Sequence, residues 1–208
     1  MLVARLSALL IAAASSPLAW SETIVVPTQV STIQAAIDRA KPLDVVLVEP
    51  GTYRENIVLK TQVAVLGRET ARTLLQPQSA SDPTVQISLA NDLLFSGFTL
   101  TGASTSVEVS GSLSIRITNV VFAGASETAI DVVNSEVDVA NNVFFDNAIA
   151  VRRNTNVEVA NNIFRSNDVT ITSTIVDNNT SVEANCWSNN ADLQPVGGRE
   201  TGYGLRPT

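Results

Sequence analysis

The sequence predicts an all-β solenoid, and three observations carry that expectation. Short apolar pairs with one residue between them recur at steps of 22, 23, 19 and 20 residues, as Val85/Ile87, Val107/Val109, Ile130/Val132, Ile149/Val151 and Val169/Ile171. A second series keeps phase with the first: Leu93/Phe95, Ile115/Ile117, Val137/Val139 and Val157/Val159, fading near Val182. The turns repeat as well, because Ala140-Asn141-Asn142-Val143-Phe144 returns as Ala160-Asn161-Asn162-Ile163-Phe164. Period-two alternation marks each pair as a strand with two side chains inward and one outward, and repetition near 20 residues marks stacked coils. The segments are β-branched, only a few residues long and separated by Asn, Ser, Thr and Gly, which excludes a helical repeat.

In chain order, Arg5, the apolar run Leu6 to Ala14, Ser15-Ser16-Pro17 and Ala19-Trp20-Ser21 give residues 1–21 the pattern of a secretory signal peptide. The apolar run is too short to span a bilayer, so membrane insertion is not expected and export to a periplasmic or extracellular site is. Ser31-Thr32-Ile33-Gln34 reads as a capping box, and Ile33, Ala36, Ile37 and Ala40 follow at helical spacing before Pro42. A short helix there would cap the open first coil. Asp44 to Val48 reads as a strand, Glu49 to Ile57 as a turn leading into another, and residues 76–84, with Pro77 and Pro83, as a longer excursion.

Regular coils are expected over residues 85–190, inside one domain spanning 22–195. Stacking would set Asn119, Asn141 and Asn161 one above another about 4.8 Å apart, their amides bonded up the stack. Gly67 and Gly97 take that corner in earlier coils, and Phe122, Phe144, Phe164 and Trp187 would stack in the core beside it. Cys186 aligns with Val121, Val143 and Ile163 and reads as a small buried hydrophobe. Tyr53 is expected to pack on the first coil. Asn178-Asn179-Thr180-Ser181 holds overlapping glycosylation sequons of the kind that Asn-rich turns produce by chance. The glycine-rich segment 196–208 reads as a flexible tail.

Composition bounds the chemistry. Thirteen Lys plus Arg against 20 Asp plus Glu give a net charge of −7, which repels phosphate backbones, so nucleic acid is not an expected partner. The absence of His removes Ser-His and Cys-His nucleophiles and His-ligated zinc. One Cys cannot close an intramolecular disulfide or furnish a thiolate metal cluster.

The segments Ser31 to Ile37 and Pro50-Gly51-Thr52-Tyr53-Arg54-Glu55-Asn56-Ile57, the Asn-Asn-x-Phe coils and Asn185-Cys186-Trp187-Ser188-Asn189-Asn190 resemble the pectin lyase-like superfamily. The resemblance implies a right-handed parallel β-helix, here of about six coils with a short N-terminal cap helix. Gly51 to Glu55 is similar to the first coil of pectin methylesterases, whose Gly-x-Asp-Phe-Ile-Phe-Gly motif is absent. The Asp-Asp pair and His of polygalacturonase-like members are absent too.

Stacked coils turn outward residues into columns. One column reads Gln86, Glu108, Asp131, Ala150, Thr170, with Arg152 following in the next strand. Glu108, Asp131 and Arg152 are the candidate catalytic residues, since two carboxylates and a guanidinium could bind Ca²⁺, hold a sugar hydroxyl or act as acid and base. The alternative for these residues is a solvated charge ladder, and a second column, Arg116, Asp138, Glu158, supports that alternative equally. Two functions follow: a non-catalytic surface or periplasmic module with a polysaccharide partner and no cofactor, or a polysaccharide lyase or hydrolase acting on acidic glycans, with Ca²⁺ conceivable only there. A deep groove over the first column would favour the enzyme. Oligomeric state is not legible in the sequence.

Overall fold

A computed structural model describes residues 21–154, 157–173, 181–191 and 200–204. The signal-like segment therefore falls outside the described residues apart from Ser21, as do the sequons apart from Ser181. The chain winds into a right-handed parallel β-helix of about seven turns rather than six. The additional coil begins with β1 (Thr23–Val26), a strand too early in the chain to share the later repeat, which pairs with β2 (Val45–Val48).

Three parallel sheets form the walls. The first stacks β1, β2, β5 (Ala64–Gly67), β8 (Asn91–Ser96), β11 (Leu113–Thr118), β14 (Val137–Ala140), β17 (Val157–Ala160) and the start of β20 (Ser181–Ser188). The second stacks β3 (Gly51–Arg54), β6 (Thr73–Gln76), β9 (Thr99–Thr101), β12 (Val121–Ala123), β15 (Val143–Phe145), β18 (Ile163–Arg165) and the end of β20. The third stacks β4 (Ile57–Val58), β7 (Val85–Ser88), β10 (Thr105–Ser110), β13 (Thr128–Val133), β16 (Ile149–Arg153) and β19 (Val169–Ser173). Within the segment read as a flexible tail, β21 (Glu200–Gly204) pairs in parallel with β20. Backbone pairing to a sheet edge needs no alternation of side chains, so the sequence pattern carried no sign of it.

The helix α1 (Ile33–Arg39) closes the first coil, with Ile33, Ala36 and Ile37 turned inward. Its N-cap is Thr32, one residue later than the capping-box reading, and Thr32 accepts from the Ala35 N–H. The reciprocal carboxylate comes from the coil beneath: the two Glu55 oxygens accept from the Ile33 and Gln34 N–H groups at 3.0 Å each. Gln34 also stands in for a missing strand beside β4, because its Oε1 accepts from the Val58 N–H at 2.7 Å. An edge strand that would otherwise invite pairing is thereby covered.

Corners are built from residues in left-handed backbone. Gly97, Asn119, Asn141, Asn161 and Ala184 share one corner at φ between 52° and 84°. Asn119, Asn141 and Asn161 do lie in one column, since strands on both sides of them are in register. The amide ladder runs through the next residue instead. Asn142 Oδ1 accepts from the Val120 N–H at 2.9 Å, Asn162 Oδ1 from the Asn142 N–H at 2.8 Å, and Asn185 Oδ1 from the Asn162 N–H at 2.8 Å. Their Nδ2 groups donate to the Ile117, Val139 and Val159 carbonyls. The left-handed residue must point outward at the bend, which leaves its successor to enter the core. A second ladder, Asn147, Asn167 and Asn190, repeats the geometry at the next corner.

Between the ladders, Phe122, Phe144, Phe164 and Trp187 stack with centroids 4.8, 4.7 and 4.5 Å apart. Strand alternation turns the residue before each ring outward, so Cys186 is exposed rather than buried. Tyr53 packs against the core and donates its hydroxyl to the Glu49 carbonyl at 2.8 Å.

Candidate functional site

The third sheet presents the first candidate column. Register sets Gln86, Glu108, Asp131, Arg152 and Thr172 side by side, so Arg152 takes the place that the sequence reading gave to Ala150. Ala150 is buried, and Val151 and Arg153 are the inward residues of that coil. Ile149/Val151 imitated the period-two pair of its neighbours, while the true pair hides a buried arginine. As a result Asp131 is compensated: Arg152 Nη2 donates to its Oδ2 at 2.5 Å, with the two side chains 37% and 16% exposed. That hydrogen bond lifts the Arg152 guanidinium above the ordinary arginine range, opposed by partial desolvation and assisted by the charges of Asp131, Glu127 and Glu108. Glu108 and Asp131 are adjacent as expected, yet the guanidinium beside them is engaged.

A groove lies on the first sheet. An open trough of about 590 Å³ runs over the second column, where Arg116, Asp138 and Glu158 are in register and Arg116 Nε meets Asp138 Oδ2 at 3.1 Å. Two residues earlier in each strand, on the same face, stands a further row: Leu43, Gln62, Asp92, Ser114 and Glu136. Leu43, Gln62, Asp92 and Ser114 hold φ between 54° and 76°, so this row is the corner itself and forms one wall. Ala64 and Leu94, outward and half-buried, floor the end nearer the cap helix. The opposite end is acidic.

Asp44, at the head of the trough, serves the fold. Its buried carboxylate accepts from the Glu22 and Lys41 N–H groups at 2.7 Å each, which holds its pKa below the ordinary aspartate value despite desolvation. Sequence reasoning found Arg116, Asp138 and Glu158 but missed Asp92 and Glu136. The signal was available: each lies two residues before a member of that column or its neighbour Leu94, and side chains two apart share a face. Among the described residues no three acidic side chains gather to hold a metal ion.

This architecture, three parallel sheets closed around stacked Asn and Phe rows, places the protein in the pectin lyase-like class of β-helices. The chain belongs to the family described as "Protein of unknown function (DUF1565)", which matches residues 26–197. No curated protein matches its sequence significantly. Among solved structures it is similar to the alginate lyase from Paenibacillus sp. str. FPU-7, with a TM-score of 0.57 and 13% identity over 81% of this chain and 77% of that one. It is also similar to a variant of the PL6 family alginate lyase AlyGC, with a TM-score of 0.47 and 11% identity over 80% of this chain and 35% of that one. No helix among the described residues is long and apolar enough to cross a membrane.

Proposed function

We propose that the protein is an exported, non-catalytic β-helix module that binds a polysaccharide along the trough of its first sheet. The trough is the observation that carries this reading. Ala64 and Leu94 offer an apolar surface to the C–H face of a sugar ring, with Gln62 and Ser114 near it and Glu136 and Glu158 at the other end of the trough as hydrogen-bonding partners for hydroxyls. The signal-like N-terminus supports export, and the fold shared with a lyase of polysaccharide supports the ligand class. Binding rather than turnover is supported by the state of the cations: Arg116 is paired to Asp138 and Arg152 to Asp131, so neither column holds a free guanidinium to act as base. The candidate trio Glu108, Asp131 and Arg152 belongs in this reading to the solvated third sheet.

The test is affinity electrophoresis of the protein against neutral, acidic and amino polysaccharides, with and without Ca²⁺, alongside the absorbance of unsaturated uronic products. Retardation by at least one glycan, its loss in Ala64→Trp, and no product are expected. Ala64 faces outward, so the indole fills the trough without entering the core. Product formation would establish the lyase alternative, and binding unchanged by Ala64→Trp would move the site elsewhere.

A further inference from the structure

The trough is charged, and its charge selects among glycans. The carboxylates of Asp92, Glu136 and Glu158 make no ion pair among the described residues, whereas Arg116, the one cation lining the trough, is spent on Asp138. Asp44 is turned to backbone N–H groups and does not enter the count. A ligand lying there meets three uncompensated negative charges: Glu136 and Glu158 on the adjacent rungs of β14 and β17, and Asp92 on the rung of β8, with the β11 rung of Ser114 and Arg116 between, the rungs being about 4.8 Å apart. The rung spacing is close to the length of one pyranose unit, so consecutive sugars would each face a rung.

We infer that the polysaccharide bound in this trough carries free amines, as an amino sugar polymer does. This rests on the glycan-binding reading and narrows it. Ammonium groups on the sugars facing the rungs of β8, β14 and β17 would sit opposite Asp92, Glu136 and Glu158 and gain charge-assisted hydrogen bonds, while the apolar floor of Ala64 and Leu94 takes the ring face at the end nearer the cap helix. A uronate chain would set carboxylates against carboxylates at the same spacing, a juxtaposition disfavoured by the protein's overall charge of −7 as well. The trough thus differs in ligand charge from what the name of its alginate-degrading structural neighbour implies for that protein.

The experiment is calorimetric titration of the full protein at about pH 6, where amino groups are protonated, with hexamers of glucosamine, N-acetylglucosamine and mannuronate, and with hexalysine. The glucosamine hexamer should bind at least about tenfold more tightly than its N-acetylated counterpart, weaken as salt is raised, and outbind hexalysine; the mannuronate hexamer should not bind. In Glu136→Gln/Glu158→Gln, whose side chains are exposed, that preference should fall below about threefold with an unchanged melting temperature. Equal affinity for the two glucosamine-based hexamers overturns the charge inference and leaves glycan binding standing. Failure of every hexasaccharide to bind removes both. Hexalysine binding as tightly as the glucosamine hexamer means that charge alone is read, and overturns the assignment to a glycan.

Discussion

The early and late coils turn the same corner by different chemistry. In the early coils the backbones approach until no side chain fits: a Cβ on Gly67 would lie 2.0 Å from the Gly97 carbonyl oxygen, and one on Gly97 would lie 2.1 Å from that of Gly67. In the late coils the corner is held open by a left-handed Asn, and the Asn that follows fills the space with an amide bonded to the preceding coil while its backbone N–H donates to the Asn of the next. The contrast shows that one backbone path can be fixed by close approach or by buried hydrogen bonding. The outer surface changes with it: the first sheet is apolar at Val45, Ala64 and Leu94 and charged at Arg116, Asp138 and Glu158. A trough with two unlike ends is the outcome.

Substitutions at the two corners should separate these chemistries. Gly97→Ala combines a left-handed backbone at φ 84° with a backbone clash, and should cost about 3 to 5 kcal/mol in denaturant unfolding. In the late coils, Asn162→Ala strips a partner from the buried Asn142 N–H and from the Val139 carbonyl, a loss of about 2 to 4 kcal/mol. Its neighbour Asn161→Ala should cost only about 1 kcal/mol, the strain of a left-handed Ala, and Asn161→Gly close to nothing. Equal losses at 161 and 162 would mean that the ladder does not hold the corner.

The two outward columns can be compared in the same way. Asp131→Asn leaves Arg152 without its partly buried partner and should lower stability by on the order of 1 kcal/mol, measurable as a small drop in midpoint. A column with Ala150 in place of Arg152 would leave Asp131 facing only the like charge of Glu108 and would imply no loss of stability on the same change. A smaller effect is expected at the head of the trough. The folded Asp44 carboxyl titrates below its unfolded value of about 3.9, so its stabilising contribution is complete above that pH and is lost as pH falls toward the folded value. The stability gap between the native protein and Asp44→Asn should therefore narrow below about pH 4, as followed by thermal unfolding across pH.

Much of the solenoid was legible because its signal is periodic. Phe122, Phe144, Phe164 and Trp187 recur in one phase, and the structure stacks them as the spacing implied. The ladder was off by one because Asn141-Asn142 and Asn161-Asn162 are doublets, and only Ala184-Asn185 tells the bent residue from the buried one. The second ladder escaped notice although Asn147, Asn167 and Asn190 each follow a stacked aromatic by three residues. The column containing Arg152 was misphased because an inward arginine, Arg153, breaks the apolar pattern that set the phase. Half of the trough was legible as the column of Arg116, Asp138 and Glu158. Its other wall was missed, since Leu43, Gln62, Asp92 and Ser114 share a backbone conformation rather than a residue type and only their two-residue offset from the column marks them.

That the ligand lies on the first sheet and not on the third is tested most directly by NMR titration of the isotope-labelled protein with an oligosaccharide found to bind it. Amide shifts should move at Gln62, Ala64, Leu94, Ser114, Arg116 and Asp138, which line the trough, and stay in place at Gln86, Glu108, Asp131 and Arg152. Shifts centred on Glu108, Asp131 and Arg152 with a silent first sheet would contradict the account.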